Sequence, residues 1–298
     1  MLLALAAAFA GSIGLLATHR PAAAAARLAP SSRPAGATSQ SAFYSSAWLA
    51  ANAGPDLALQ ARAAIVADLD THRVLWAKDP ATPRAPASLA KMVTAMVAID
   101  LAGLDRTLTV PAEATGVEPN LMGLAPGDVV TVRDLLYGLL LDSGNDAAEA
   151  LGQAIVPRGR FIADMNARAA RWGLRGTTFS NPSGLDDPGL RSTPYDLAVV
   201  AGHLATEYPA LMEIAGSRER SIPATPQHHA YAPYNLNKML WTYPGTTGLK
   251  TGLTDDAGGC VVITATRNGR HLVAVVMHSD VFFTDASRLL DYGFSTTT

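Results

Sequence analysis

Three short motifs in this 298-residue chain carry residue types suited to serine acyl-transfer chemistry: Ser88-Leu89-Ala90-Lys91, Ser143-Gly144-Asn145 and Lys250-Thr251-Gly252. The chain has only four lysines (Lys78, Lys91, Lys238 and Lys250), and two of them fall inside these motifs, which weighs against coincidence. A serine hydroxyl is a weak nucleophile until a neighbouring base takes its proton. Ser88 and Lys91 are three residues apart, so on a helix they share a face. Lysine serves as the base only if its pKa falls well below about 10.4. Burial or a second cation nearby lowers it, and Lys250 is the candidate cation. The first-turn N–H groups of a helix starting near Ser88 would also favour developing negative charge.

Ser143-Gly144-Asn145 lies between two helical segments, where a loop can project a hydroxyl and an amide into a cleft. Ser143 would relay a proton to a leaving group, and Asn145 would hold a substrate amide and Lys91. Lys250-Thr251-Gly252 lies in the strand-like stretch GLKTGLT. Gly252 leaves room beside the strand edge, and an extended peptide could pair there. Lys250 and Thr251 would meet a carboxylate. Each motif alone has an ordinary reading: a serine N-cap before a surface lysine, a turn before a helix, an edge strand with a solvated lysine. Their order along one chain gives them weight.

The elements that must position these residues read as follows. Residues 61–68 and 73–77 are apolar strands joined by the turn Leu69-Asp70-Thr71-His72. A helical pattern runs from Ser88 to Leu101, residues 108–131 read as loops and short strands, and helices fit 132–141, 145–154, 160–173 and 194–205. Residues 216–248 look irregular. Three β-like segments follow, 248–254, 259–267 and 271–278, with the hairpin signal Asn268-Gly269 between the last two. A final helix covers 284–292. Strands at both ends around a helical middle predict an α+β architecture, in which the terminal strands share a sheet and an all-helical lobe is inserted between them.

Residues 2–17 are apolar and uncharged, and Ala22–Ala26 supply small residues of the cleavage-site type. Residues 1–26 are therefore read as a signal peptide or, if uncleaved, an N-terminal anchor, although Met1 leads into leucine without a basic n-region. Sixteen residues fall short of the roughly 20 a membrane span needs. Residues 27–54, rich in Ala, Pro and Ser, read as a linker, which leaves 55–298 as the catalytic domain. With 49% hydrophobic residues the chain can bury a large core, and a net charge of −2 gives no reason to expect nucleic acid as a partner. The single Cys260 cannot form an intrachain disulfide and reads as a packing residue. His228-His229 are adjacent, with no third ligand at a standard metal spacing. Asp186-Asp187 and Asp255-Asp256 read as turn residues. No metal and no cofactor are expected.

The three motifs together are a signature of penicillin-binding proteins and class A β-lactamases. The chain resembles the serine-type D-Ala-D-Ala carboxypeptidases, the low-molecular-mass penicillin-binding proteins, from about Ala64 to Phe294. The resemblance includes PRAPASLAKMVTAMVAID (83–100), MGLAPGDVVTVRDLLYGLLLDSGNDAAEALG (122–152), FSNPSGLDD (179–187), STPYDLAVVA (192–201), NLNKML (235–240) and YPGTTGLKTGLTDDAGGC (243–260). It implies a β-lactamase/transpeptidase-like fold with an antiparallel sheet flanked by helices. It also implies removal of the terminal D-alanine from peptidoglycan stem peptides outside the cytoplasm, with inhibition by β-lactams. By position, Ser88 is the acylated serine, Lys91 its base, and Ser143 and Asn145 aid proton transfer and binding. Lys250 and Thr251 hold the terminal carboxylate, and the N–H groups of Ser88 and Leu253 form the oxyanion hole.

Two departures stand out. Many members continue into a β-rich domain and a membrane-binding helix, whereas this sequence stops at Thr298, so any membrane tether is expected at the N-terminus. Many also carry a carboxylate-binding arginine before the last helix. Residues Ser279 to Asp285 have none, and Arg288 comes later. Between Asn145 and Lys250 there is no E-x-x-L-N element, which argues against a β-lactamase and predicts slow deacylation of penicillin. A D,D-endopeptidase cutting cross-links, or a non-turnover β-lactam or wall-binding sensor, would keep the same motifs.

Overall fold

The computed structural model describes residues 55–296. The segments read as signal peptide or anchor and as linker lie outside the described residues. Strand β1 (Ala63–Asp68) opens an antiparallel sheet and turns into β2 (Arg73–Lys78). Asp68 closes the turn: its Oδ1 accepts the N–H groups of Asp70 at 3.1 Å and Thr71 at 2.9 Å. Strands β3 (Thr107–Thr109) and β4 (Val129–Thr131) form a separate two-stranded ribbon. The remaining strands, β5 (Thr246–Thr254), β6 (Gly258–Arg267) and β7 (Arg270–Met277), complete the main sheet in the order β2-β1-β7-β6-β5. The β1–β7 pairing joins the two ends of the chain, as the sequence pattern predicts, and leaves β5 at an edge.

The near-continuous apolar character of these strands follows from burial on both faces. Ile65, Val262, Val273 and Val275 point to one core, while Val66, Val261, Ile263 and Val276 point to the other. The first core is shared with the helical lobe, and the second with α9 (Phe282–Ser295). Asn268 and Gly269, at φ 50° and 76°, turn β6 into β7 as a two-residue hairpin.

The lobe holds α1 (Lys91–Ala102), the short α2 (Ala112–Thr115), α3 (Val132–Leu140), α4 (Asn145–Ala154), α5 (Arg158–Arg171), α6 (Pro194–Glu207) and α7 (Pro209–Gly216), with α8 (Met239–Thr242) before β5. The eight residues from Lys91 to Ala98 are all buried, so α1 is the central helix. Helix α7 was not foreseen, because Pro209 follows α6 so closely that one helix reads as ending in a loop. The stretch 216–248 is also more ordered than its composition suggests. Isolated bridges pair Glu219 with Tyr234, Ile222 with Tyr231 and Thr225 with His228. Among the described residues no helix is long and apolar enough to cross a membrane.

Candidate active site

Ser88 does not sit in the first turn of an α-helix. It occupies a 3-10 turn, Ala87–Ala90, and α1 begins only at Lys91. Ala87 has φ 49°, a left-handed conformation uncommon for a residue with a side chain. That kink stops the helix from extending backwards and brings Ser88 to the wall of a cleft of about 290 Å³. Ser143, Asn145, Thr251, Gly252 and Leu253 line the same cleft. The side chains of Lys91 and Lys250 lie beneath it, 0% and 1% exposed.

Three groups surround the Lys91 nitrogen. Ser88 Oγ lies 2.9 Å away, Asn145 Oδ1 accepts a hydrogen bond at 2.6 Å, and the Ser183 carbonyl oxygen accepts another. The two amide oxygens can only accept, so they hold two N–H groups in either protonation state. The third tetrahedral position faces Ser88 and carries the lone pair when the amine is neutral. Burial, aided by the Lys250 charge, holds Lys91 well below the usual lysine range, against a smaller opposing pull from Asp146 and Glu149. Lys250 is itself pushed down to about 7 by burial, opposed by Asp142. For Lys91 the two causes are thus burial first and the Lys250 charge second.

Each contact around Lys91 rests on a local device. Asn145 is the first residue of α4, and its Nδ2 donates to the Glu118 carbonyl at 2.8 Å, which fixes its amide orientation. The neighbouring Asp146 carboxylate accepts the N–H groups of Met122, Gly123, Leu124 and Ala147 at 2.8–3.0 Å. It thereby ties residues 122–124 to the start of α4. Ser143 has φ 61°, in the loop that turns α3 into α4. Asn181 closes the loop that presents Ser183: its Oδ1 accepts the Gly184 N–H at 2.7 Å and its Nδ2 donates to Leu185 O at 3.0 Å. Thr94 Oγ1 holds the same loop through Pro182 O at 2.6 Å.

Gly252 has a further role that its sequence context did not suggest. A Cβ placed there would sit 2.9 Å from Ala87 Cβ and 3.0 Å from Ser88 N. The missing side chain thus lets the Ser88 turn approach β5 at Gly252. Leu253 itself is 71% exposed in the cleft.

Sequence reasoning missed the Ser183 carbonyl, the Asp146 clamp and Lys238, which also lines the cleft. The Asn181-Pro182-Ser183-Gly184 turn signal was visible, but nothing in it marks a carbonyl as a ligand for lysine. Cys260 is buried, its thiol pushed up to about 12 by desolvation. Asp187 Oδ1 accepts Gly189 N at 2.7 Å, and Asp186 Oδ2 accepts Asp256 N at 3.0 Å, so these carboxylates brace turns. His228 and His229 pack their rings on Tyr231, at centroid distances of 5.4 and 4.4 Å. Arg288 donates to the Ala58 carbonyl oxygen and does not line the cleft.

A sheet joined through its terminal strands, a helical lobe and, at their junction, a cleft-lining serine bonded to a buried lysine define a penicillin-binding, transpeptidase-like protein. The D-alanyl-D-alanine carboxypeptidase family, peptidase S11, matches residues 50–281, and the chain belongs to it. It is 37% identical to the D-alanyl-D-alanine carboxypeptidase DacB2 of Mycobacterium tuberculosis over 239 residues, 78% of this chain and 81% of that protein. Identity to the Bacillus subtilis carboxypeptidase DacF is 30% over 249 residues, 80% of this chain but only 64% of that longer relative. A crystal structure of a D-alanyl-D-alanine carboxypeptidase from M. tuberculosis superposes with a TM-score of 0.75 at 36% identity, covering 82% of this chain and 93% of that one. The Streptomyces K15 DD-transpeptidase gives 0.75 at 29% identity, over 80% and 98%. Family membership makes the chain a serine peptidase. Members work through a serine acyl-enzyme, act on peptidoglycan stem peptides and bind β-lactams.

Proposed function

We propose that this chain is a D,D-carboxypeptidase that removes the terminal D-alanine of peptidoglycan stem peptides through an acyl-enzyme on Ser88. The observation that carries the reading is the 2.9 Å approach of Ser88 Oγ to a fully buried Lys91 whose other contacts are both amide oxygens. Neutral Lys91 takes the Ser88 proton as Oγ bonds to the carbonyl carbon of the penultimate residue. The backbone N–H groups of Ser88 and Leu253 stabilise the oxyanion, where one donor is worth about 3 kcal/mol of barrier. The proton passes to the leaving nitrogen by way of Ser143, the C–N bond breaks, and D-alanine departs. Water, deprotonated by Lys91, then cleaves the ester and frees Ser88.

The substrate lies outside the cytoplasm, so the enzyme works at the cell wall. Residues 1–26 are the proposed export signal or membrane tether, and residues 27–54 the proposed spacer to the catalytic domain, 55–298.

The test uses residues 55–298, penicillin and intact-mass measurement, then a D-alanine release assay on a stem-peptide mimic. Wild type should gain one penicillin mass that persists, and should release D-alanine; Ser88→Ala should do neither. Absence of the adduct in wild type, or unchanged release by the variant, would sink the mechanism.

A further inference from the structure

Residues 231–239 alternate strictly between buried and exposed: Asn235 and Asn237 turn inward, while Tyr234, Leu236 and Lys238 face outward. In an extended chain that period of two puts the outward residues on one face. Leu236 and Lys238 line the cleft. Tyr234 is therefore the next residue of the same wall, about 7 Å along the chain from Leu236.

The wall is held by its inward residues and its backbone. Asn235 Nδ2 donates to the carbonyls of Ala215 at 3.0 Å and Ser217 at 2.7 Å, and its Oδ1 accepts Asn237 N at 2.9 Å. Tyr234 N donates to Asp142 Oδ1 at 2.9 Å and Leu236 N to Leu141 O at 3.1 Å, which fastens the wall to the loop that carries Ser143. Beyond Leu236 the wall ends in an aromatic platform. Tyr234 and Trp241 stack with ring centroids 5.3 Å and planes 22° apart, yet stay 52% and 39% exposed. The Arg218 guanidinium lies 5.4 Å from the Trp241 ring and donates to Leu240 O at 2.9 Å, which holds the stack in place. Exposed apolar side chains gathered in this way mark an interaction surface.

The occupant must be compatible with a filled cleft. A second copy of the chain seated on Tyr234 and Leu236 would cover the cleft that Leu236 lines. A stem peptide occupies the cleft itself. What remains of a peptidoglycan substrate is its sugar chain. A sugar ring presents an apolar C–H face with hydroxyls at its rim, and Tyr and Trp offer a matching apolar face with a polar atom at the edge.

We propose that the Tyr234–Trp241 stack is a saccharide subsite, on which a sugar ring of the wall polymer lies while a stem peptide of that polymer fills the cleft. Joining the two contacts in one ligand makes the second intramolecular and raises the affinity for polymer over free peptide. The inference rests on the reading of the cleft as a stem-peptide site and does not depend on which D-Ala bond is cut.

The experiment measures binding by titration calorimetry to the chain carrying Ser88→Ala, which prevents turnover. The two ligands are a stem peptide ending in D-Ala-D-Ala and the same peptide attached to its disaccharide. Platforms compared are the native one, Tyr234→Phe, Tyr234→Ala and Trp241→Ala, each checked for folding by circular dichroism. The readout is the ratio of the two affinities. With the native platform the disaccharide should improve binding about tenfold, the scale of one good ring contact. Tyr234→Phe should keep most of that ratio, Tyr234→Ala should bring it close to one, and Trp241→Ala should lower it. A ratio near one with the native platform overturns the inference, as does an unchanged ratio in Tyr234→Ala or no binding of the disaccharide-bearing peptide. Because this assay needs no turnover, a chain with Ser88 intact that releases no D-alanine refutes the carboxypeptidase reading alone.

Discussion

Lys91 Nζ lies 2.6 Å from Asn145 Oδ1, across a sequence separation of 54 residues, and that contact aims the lysine lone pair at Ser88. A neutral acceptor orients the amine while favouring its charged form less than a carboxylate would. Asn145→Asp keeps the shape but adds a negative charge, which favours the ammonium. Penicillin acylation at pH 7 should drop by about a hundredfold or more, the scale of lost general-base catalysis. The rate should recover as pH rises, because the variant's Lys91 titrates higher. A flat pH profile equal to wild type would show that Lys91 is not the base.

Gly252 and Ser88 make a second close approach. In Gly252→Ala the added Cβ meets Ala87 Cβ at 2.9 Å and Ser88 N at 3.0 Å, so the turn must move off β5. Separation of the two backbone donors should slow acylation by about 10²–10³, the cost of one oxyanion donor. Acylation within a factor of two of wild type would mean the donors are not arranged across this contact.

The Asp146 carboxylate accepts four backbone N–H groups and is 1% exposed. Asp146→Ala leaves those donors without their acceptor and should destabilise the protein by about 3 kcal/mol in urea unfolding. Acylation should fall too, since Asn145 is the preceding residue. A loss under about 0.5 kcal/mol would show that water replaces the carboxylate at no cost.

Lys250 makes stability depend on pH in the alkaline range. Its pKa is about 7 in the folded protein against 10.5 as the ordinary value, so between these limits the unfolded chain binds the extra proton. Stability should therefore rise from pH 7 towards pH 9.5, by up to about 1.4 kcal/mol per pH unit for each such group. Below pH 7 the penalty of burying the charge is fully present and this dependence levels off. Lys91, also depressed, adds in the same direction. Lys250→Met should flatten part of the slope in thermal unfolding across this range. An unchanged slope would mean that Lys250 keeps its charge when buried.

Much of the scaffold is legible in the sequence, for reasons visible in particular residues. The apolar runs of β6 and β7, separated by Asn268-Gly269, read as a hairpin, and the structure adds that both of its faces are buried. The turn after β1 was read at Leu69-Asp70-Thr71-His72, while the part of Asp68, which accepts the N–H groups of Asp70 and Thr71, shows only in the structure. Less legible were α7, whose proline start mimics a break, and the bridged stretch around Tyr231, whose pairing partners are set by tertiary contact.

The residue types of the site, their order and the family they belong to were determined by the sequence alone, because a serine, a lysine and an asparagine each carry a recognisable chemistry. Their working environment was decided only by the tertiary structure. The Ser183 carbonyl reaches Lys91 from 92 residues away, and a backbone oxygen has no residue signature to announce it. Gly252 reads as space for a substrate until the Ser88 turn is seen filling it. Lys238 reads as one more surface lysine until the chain path sets it at the mouth of the cleft, while Lys250 is sealed beneath the floor. Burial and orientation depend on what packs around a group, and that is settled only when distant segments meet.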